Sequence, residues 1–164
     1  MTVEVRPKPS PKVPHWLIRT IWFVHRRAYA ITRGRFGLRT PAERRWGMLR
    51  LHTVGRRSGR ERIAILGYIE DGPNILVAAM NGWMDPEPAW WLNLRAGPEA
   101  TIQLPDGEIR AVIARPAPAG ERERMWQRFV DLGTAAFTHA NAATRARETA
   151  IVILAPKAPY EHSS

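Results

Sequence analysis

The stretch GMLRLHTVGRRSGRERIAILGYIEDG, residues 47 to 72, determines the fold predicted for this chain. GMLRLHTV (47–54) and RIAILGYIEDG (62–72) are apolar runs of strand length. Between them stand two glycines and three arginines, and Arg62 adds a fourth. Glycine lets a ligand approach the backbone, and the arginine fork suits phosphate and carboxylate. The pattern predicts a hairpin whose basic turn is either a solvated surface turn or an anion site.

Further strands and helices are predicted after this hairpin. ILVAAM (75–80), EATIQL (99–104), EIRAVIARP (108–116) and TAIVILAP (149–156) are predicted strands, and PDG (105–107) is a hairpin turn. Predicted helices are PAWWLNLRAG (88–97), AGERERMWQRFVDLG (119–133) and TAAFTHANAATRAR (134–147). Six strands joined by hairpin turns, with scattered helices, predict a small antiparallel barrel with helical additions, in the mainly β (α+β) class.

The amino-terminal region is basic and amphipathic. Apolar residues recur at helical spacing from Leu17 to Ile31, and arginines flank them. Such a helix either packs on its own domain or lies on an anionic membrane surface. The predicted organisation is a flexible segment (1–13), a helical extension (14–46), a barrel domain (47–156) and a tail (157–164).

Composition limits the function classes. Residues 1–62 hold sixteen Lys and Arg against three Glu, whereas residues 63–164 hold nine against twelve acidic residues. The basic half therefore suits an anionic partner: a polyanionic small molecule, a membrane surface or nucleic acid. The chain has no cysteine, which excludes disulfides and thiolate metal sites, and the five histidines are scattered. We expect no metal and a cytoplasmic protein, with the amino-terminal helix as a candidate contact to the inner face of the membrane.

Acid–base residues are sparse, so an enzyme built on this chain takes its reactivity from a cofactor. His52 alternates with Leu51 on a predicted strand, which suits a structural role. The adjacent Trp90 and Trp91 either both fill the core or divide, one entering the core and the other closing over a planar ligand.

Three segments together carry a family resemblance: TVGRRSGRERIAILGYIEDGPNILVAA (53–79), PAWWLNLRAGPEATIQL (88–104) and TAIVILAP (149–156). In this order they resemble the deazaflavin-dependent nitroreductase and quinone reductase family, whose members read T-x-G-[RK]-[RK]-S-G-x-x-R and then P-x-W-[YW]-x-N-L. The resemblance implies a six-stranded split β-barrel related to flavin-reductase-like folds. It also implies coenzyme F-420, a 5-deazaflavin with a phosphate and an oligoglutamate tail, in preference to FMN.

The resemblance assigns cofactor contacts by position. The basic turn would bind the anionic tail, small residues at the end of the third strand would border the ring, and the start of the predicted helix over 88–97 would flank it. The residues so assigned are Arg56, Arg57, Ser58, Gly59, Arg62, Ala78, Ala79, Met80, Asn81, Pro88, Ala89, Trp90 and Trp91.

Two departures from the family pattern bear on the acceptor. Met80, Asn81, Gly82 and Trp83 stand where the family often has Ser followed by Lys or a glycine pair. No tyrosine occurs in residues 131–147, where nitroreductase-type members carry several. Candidate acceptor contacts are Met80 and Trp83 together with Phe137 and His139.

The expected reaction is hydride transfer from the reduced cofactor to a small-molecule electron acceptor: a quinone, a nitroaromatic or an activated alkene. The catalytic proton donor and the oligomeric state stay open. Two alternatives are a carrier of flavin or another planar ligand without turnover, and a basic nucleic-acid-binding module. No recognition motif supports the second, so no nucleic acid is expected.

Overall fold

A computed structural model of the chain describes residues 37–80, 86–132 and 149–157. Six antiparallel strands form a closed barrel in the order β1-β2-β3-β6-β5-β4. The strands are β1 (Gly47–Val54), β2 (Glu61–Asp71), β3 (Asn74–Ala78), β4 (Glu99–Gln103), β5 (Ile109–Pro116) and β6 (Ile151–Pro156). The helices are α1 (Ala89–Ala96) and α2 (Ala119–Leu132). The predicted antiparallel barrel is therefore confirmed.

Strands β3 and β6 are apolar on both faces because each lies between two apolar layers. Ile75 and Val77 of β3 and Val152 of β6 point into the barrel core. Leu76 and Ile153 alternate with them and pack outside the barrel against α2. Burial on both sides explains why these strands read as continuous apolar runs, unlike the alternating β1.

Helix α2 is fixed on the outer face by polar and aromatic contacts. Trp46 Nε1 donates a hydrogen bond to the carbonyl of Phe129 at 3.0 Å, and the two rings meet edge to face. The preceding residue, Arg128, pairs with Asp71 and donates to the carbonyl of Glu70 at 2.6 Å. The helix therefore covers the β2–β3 hairpin.

Helix α1 joins the core inside the barrel. Trp90, Trp91 and Leu94 belong to the same apolar cluster as Leu49 and Leu51 of β1. The inward row of β1 ends at Thr53, which is polar and only 4% exposed. This end of the barrel is where β1 passes into the basic turn.

The predicted element bounds hold to within one or two residues, with one informative difference. The third strand was expected over 75–80, but it ends at Ala78. The amide of Met80 donates to the carbonyl of Ala78 at 2.7 Å, so the chain turns there and leaves the ladder. This places Ala79 and Met80 in the connection rather than in the strand.

Several expectations fall outside the described residues. These are the amino-terminal helix, the helix over 134–147 and the tail. The barrel belongs to a compact unit running from Leu38 to Ser164, and residues 38–46 join it through the pairing of Arg39 with Met48. The domain boundaries stay a prediction. Within the described ranges, no helix is long and apolar enough to cross a membrane.

Candidate functional site

The basic turn occupies residues 55–60, between two strands paired without interruption from Gly47–Tyr68 to Val54–Glu61. The amide of Gly55 donates to the carbonyl of Arg60 at 2.8 Å, and the amides of Ser58 and Gly59 donate back to the carbonyl of Gly55. Gly59 has φ +63°, a conformation that favours glycine. These bonds fold the basic turn into a compact loop. Together with Glu61 and Arg62 at the start of β2 it is called the arginine turn below (Gly55–Arg62).

The arginines of this turn are exposed and lack carboxylate partners among the described residues. Arg57 and Arg60 make no side-chain hydrogen bond there, and Arg62 Nη2 donates to Ser58 Oγ at 3.2 Å. The nearby carboxylate of Glu61 is taken by His52, whose Nδ1 lies 2.8 Å from its Oε1. A structural role for His52 stays a prediction, and the four arginines of the turn outnumber this one carboxylate, so the turn keeps a net positive charge.

Three described arginines outside the turn do have carboxylate partners. Arg95 Nη1 donates to Glu87 Oε2 at 2.9 Å, Arg110 Nη2 to Glu108 Oε2 at 2.8 Å, and Arg128 pairs with Asp71. The Arg110 side chain also holds the pKa of Glu108 below its usual range, mainly through the hydrogen bond. The arginine turn thus combines four exposed arginines without carboxylate partners among the described residues, and anion binding there stays a prediction.

A buried asparagine ties this turn to α1. Asn93 Oδ1 accepts from the Arg56 backbone amide at 3.2 Å and from Arg56 Nη1 at 3.5 Å. Its Nδ2 donates to Thr53 Oγ1 at 3.2 Å, and that hydroxyl donates to the carbonyl of Arg62 at 3.4 Å. Sequence reasoning assigned no role to Asn93 or Thr53. The signal was present, because both stand in the quoted motifs, in T-x-G and in N-L.

The two tryptophans of α1 are both buried. Trp90 is 8% and Trp91 5% exposed, with ring centroids 6.4 Å apart at 56°. This agrees with the alternative in which both fill the core. Pro88 is also buried and caps the helix with its carbonyl, whereas Ala89 is exposed. Contact of these four residues with a cofactor stays a prediction.

The residues at the end of β3 and just after it also differ in burial. Ala78 and Ala79 are buried, and the amide of Ala79 donates to the carbonyl of Ala150 at 2.8 Å. Met80 is half-buried. Asn81 lies outside the described residues, as do the proposed acceptor contacts Trp83, Phe137 and His139. The structure therefore describes the arginine turn but not the proposed acceptor contacts Trp83, Phe137 and His139, and both halves of the site stay predictions.

Two further observations concern chemistry at the site. Across residues 37–80, 86–132 and 149–157, no group of three or more His, Asp or Glu could hold a metal ion. Burial, with smaller effects of Glu70 and Asp106, raises the pKa of Tyr68 to about 12. Tyr68 pairs with Gly47, six residues along β1 from Thr53 and so about 20 Å away. Its neutral hydroxyl belongs to the opposite end of the barrel.

Comparison with known proteins is consistent with this geometry. A sequence model of the family described as "F420H(2)-dependent quinone reductase" matches residues 22–156. An F420H(2)-dependent quinone reductase of Mycobacterium tuberculosis strain H37Rv is 31% identical over 121 residues, which cover 70% of this chain and 79% of that protein.

Solved structures show the same fold. An F420-H2 dependent reductase superposes with a TM-score of 0.57 at 23% identity, over 72% of this chain and 99% of that one. A protein described as a domain-swapped dimer superposes with a TM-score of 0.58 at 21% identity, over 83% of this chain and 98% of that one. At these identities the likeness shows the fold, here a split barrel.

Proposed function

This chain belongs to the F420H(2)-dependent quinone reductase family, and from that premise we propose that it reduces a quinone with coenzyme F-420 held at the arginine turn. It is an F-420-dependent reductase, and its cofactor is coenzyme F-420. The quinone, rather than a nitroaromatic or an activated alkene, is the proposed acceptor because the matching family and the M. tuberculosis relative carry that name.

The arginine turn carries the proposal. Arg56, Arg57 and Arg62 lie within seven residues, all exposed and without carboxylate partners among the described residues. A phosphate with a glutamate tail would offer these three cations charge-assisted hydrogen bonds and would offset their mutual repulsion. Ser58 and Gly59 complete the turn, and their backbone amides hold its shape through hydrogen bonds to the carbonyl of Gly55. The residues present therefore fit the anionic part of the cofactor.

The ring half of the site is proposed from position. Met80 and Ala89 have solvent access and would border the deazaflavin, while Ala78, Ala79, Pro88, Trp90 and Trp91 would support it from the core. When bound, the reduced cofactor supplies a hydride from C5 of its ring. The chain's own contribution is to align ring and acceptor and to exclude water.

The function is tested by anaerobic turnover. Purified protein with reduced F-420 is offered a menaquinone-type quinone, a nitroaromatic and an activated alkene, and cofactor oxidation is followed by absorbance. We expect the quinone to give the highest kcat/KM. Arg57→Ala should raise the KM for F-420, whereas Arg115→Ala, which removes an exposed arginine on β5, should leave it unchanged.

One alternative function is a carrier with the same fold that binds the cofactor but does not catalyse hydride transfer. The family's Ser and Lys after the third strand and its tyrosines before the last strand are missing here. Tight binding of F-420 without oxidation by any of the three acceptors would identify a carrier. Faster turnover with a nitroaromatic than with the quinone would reassign the acceptor class.

A further inference from the structure

The side chain of Asn93 joins two elements that lie far apart in sequence. It stands on α1, is 6% exposed, and bonds to Thr53 and Arg56, which are 40 and 37 residues away. A buried amide retains such bonds because an unpaired polar group in the interior is costly. The site therefore includes a polar contact inside an otherwise apolar region.

Both ends of the amide are used, and only one orientation satisfies them. The backbone N–H of Arg56 can only donate, so it requires Oδ1. The Thr53 hydroxyl gives its proton to the carbonyl of Arg62, so it accepts from Nδ2. Reversing the amide would set Nδ2 against the Arg56 N–H, two donors facing each other, and would draw the Thr53 hydroxyl proton away from the Arg62 carbonyl. Asn93 thus holds the start of the arginine turn at Arg56 and contacts Thr53, the ladder partner of Arg62 at its other end.

The bonds inside the turn do not set its position. The pairs Gly55–Arg60 and Ser58–Gly55 lie within the loop and would move with it. Among the described residues, the hydrogen bonds of Asn93 are those that connect residues 55–60 to an element other than β1 and β2. An anchor to a third element limits the movement of the turn relative to α1 and so favours one arrangement of its arginines before an anion arrives.

We infer that Asn93 is a positioning residue for the cofactor: its amide sets the turn so that Arg57 and Arg62 meet the anionic tail together. The inference rests on the proposed function, because it assigns a role at the same site. It adds that the affinity for F-420 depends on a side chain that need not touch the cofactor, and that α1 and the turn act as one unit.

A double-mutant cycle between Asn93 and Arg57 tests this, with the Kd for F-420 measured by fluorescence titration. In the wild type, Arg57→Ala should weaken binding by about 5- to 150-fold, the equivalent of one charge-assisted hydrogen bond. In the Asn93→Leu protein the same change should weaken it by about twofold or less, because the turn no longer holds Arg57 in place.

Two further variants separate positioning from general destabilisation. Thr53→Val removes the hydroxyl that Nδ2 contacts and should reproduce the loss of coupling, while Thr53→Ser keeps the hydroxyl and should restore it. Trp46→Phe removes the hydrogen bond to Phe129 on the α2 side. It should lower stability and leave the effect of Arg57→Ala at its wild-type size.

Each outcome decides the matter. A full Arg57 effect in both Asn93→Leu and Thr53→Val makes Asn93 merely structural and overturns the inference while leaving the proposed site intact. If Asn93→Leu does not fold, the Thr53 pair alone gives the answer. If Arg57→Ala and Arg62→Ala change nothing in the wild type, the proposed tail site itself is wrong, and the inference fails with it.

Discussion

Replacing Gly55 by alanine should destabilise the arginine turn and weaken the cofactor site. A Cβ at Gly55 would lie 2.8 Å from Ser58 Oγ, 3.1 Å from the carbonyl oxygen of Arg60 and 3.3 Å from Arg62 Cγ. Ser58 can rotate away, but its Oγ then loses the hydrogen bonds from Arg60 and Arg62. The Arg60 carbonyl is backbone and accepts the bond that closes the turn.

The magnitude follows from these contacts. Losing two exposed hydrogen bonds costs about 1–3 kcal/mol. Alanine also stiffens the unfolded chain, which returns about 0.4–1 kcal/mol. We therefore expect Gly55→Ala to lower the free energy of unfolding by about 0.5–2 kcal/mol. The loss should appear in urea unfolding followed by tryptophan fluorescence, together with a weaker Kd for F-420.

Gly120 provides a matched control with the opposite sign. It lies in the first turn of α2, and nothing stands within 4 Å of an added Cβ. Gly120→Ala should therefore stabilise the protein by up to about 1 kcal/mol, as helix propensity predicts. A Gly55→Ala protein as stable as the wild type, with unchanged F-420 binding, would refute the argument that this turn is closely packed.

Three further predictions concern charge and pH. Arg57→Ala and Arg62→Ala should each weaken F-420 binding by about 1–3 kcal/mol while the melting temperature of the free protein changes little; unfolding of either variant would make the side chain structural. The pKa of Tyr68 is about 12 in the folded protein against 10.0 as the ordinary value. The stabilisation that the protonated Tyr68 hydroxyl gives the folded state is therefore complete below pH 10 and is lost as the pH rises to 12. Tyr68→Phe should flatten that alkaline decline in unfolding titrations, and an unchanged decline would assign it to other groups. We expect the amino-terminal helix, if it anchors to membranes, to make the full chain sediment with anionic vesicles at low salt, while a chain starting at Gly34 stays in the supernatant and removal of the charges at Arg26 and Arg27 releases the full chain. If both chains stay in the supernatant, membrane anchoring is excluded.

The fold could be predicted because its signals are local. Alternation along β1, the Gly72 turn and the Pro105–Gly107 hairpin each depend on neighbouring residues, and Gly72 and Gly107 do adopt positive φ. The double burial of β3 and β6 could not be derived from the sequence, because it depends on α2 packing across strands that are distant along the chain.

The candidate site, too, could be predicted from the sequence only in part. The sequence predicts the arginine turn, because its arginines are close together along the chain. The sequence does not show that these arginines lack carboxylate partners, because this depends on the contact of Glu61 with His52. Asn93 was missed because its role arises from contacts 37 and 40 residues away. The burial of both Trp90 and Trp91 was one of two open interpretations, and only the packing of α1 against the barrel decides between them.

Parallel titration of the purified protein with coenzyme F-420 and with FMN tests the central claim most directly. Both ligands carry a flat ring and a phosphate, but F-420 adds a glutamate tail that the arginine turn can bind. The account predicts tighter binding of F-420, an advantage that shrinks as salt screens the exposed charges, and loss of most of that advantage in Arg57→Ala. Equal or tighter binding of FMN, or an F-420 affinity that does not change with salt, would contradict it.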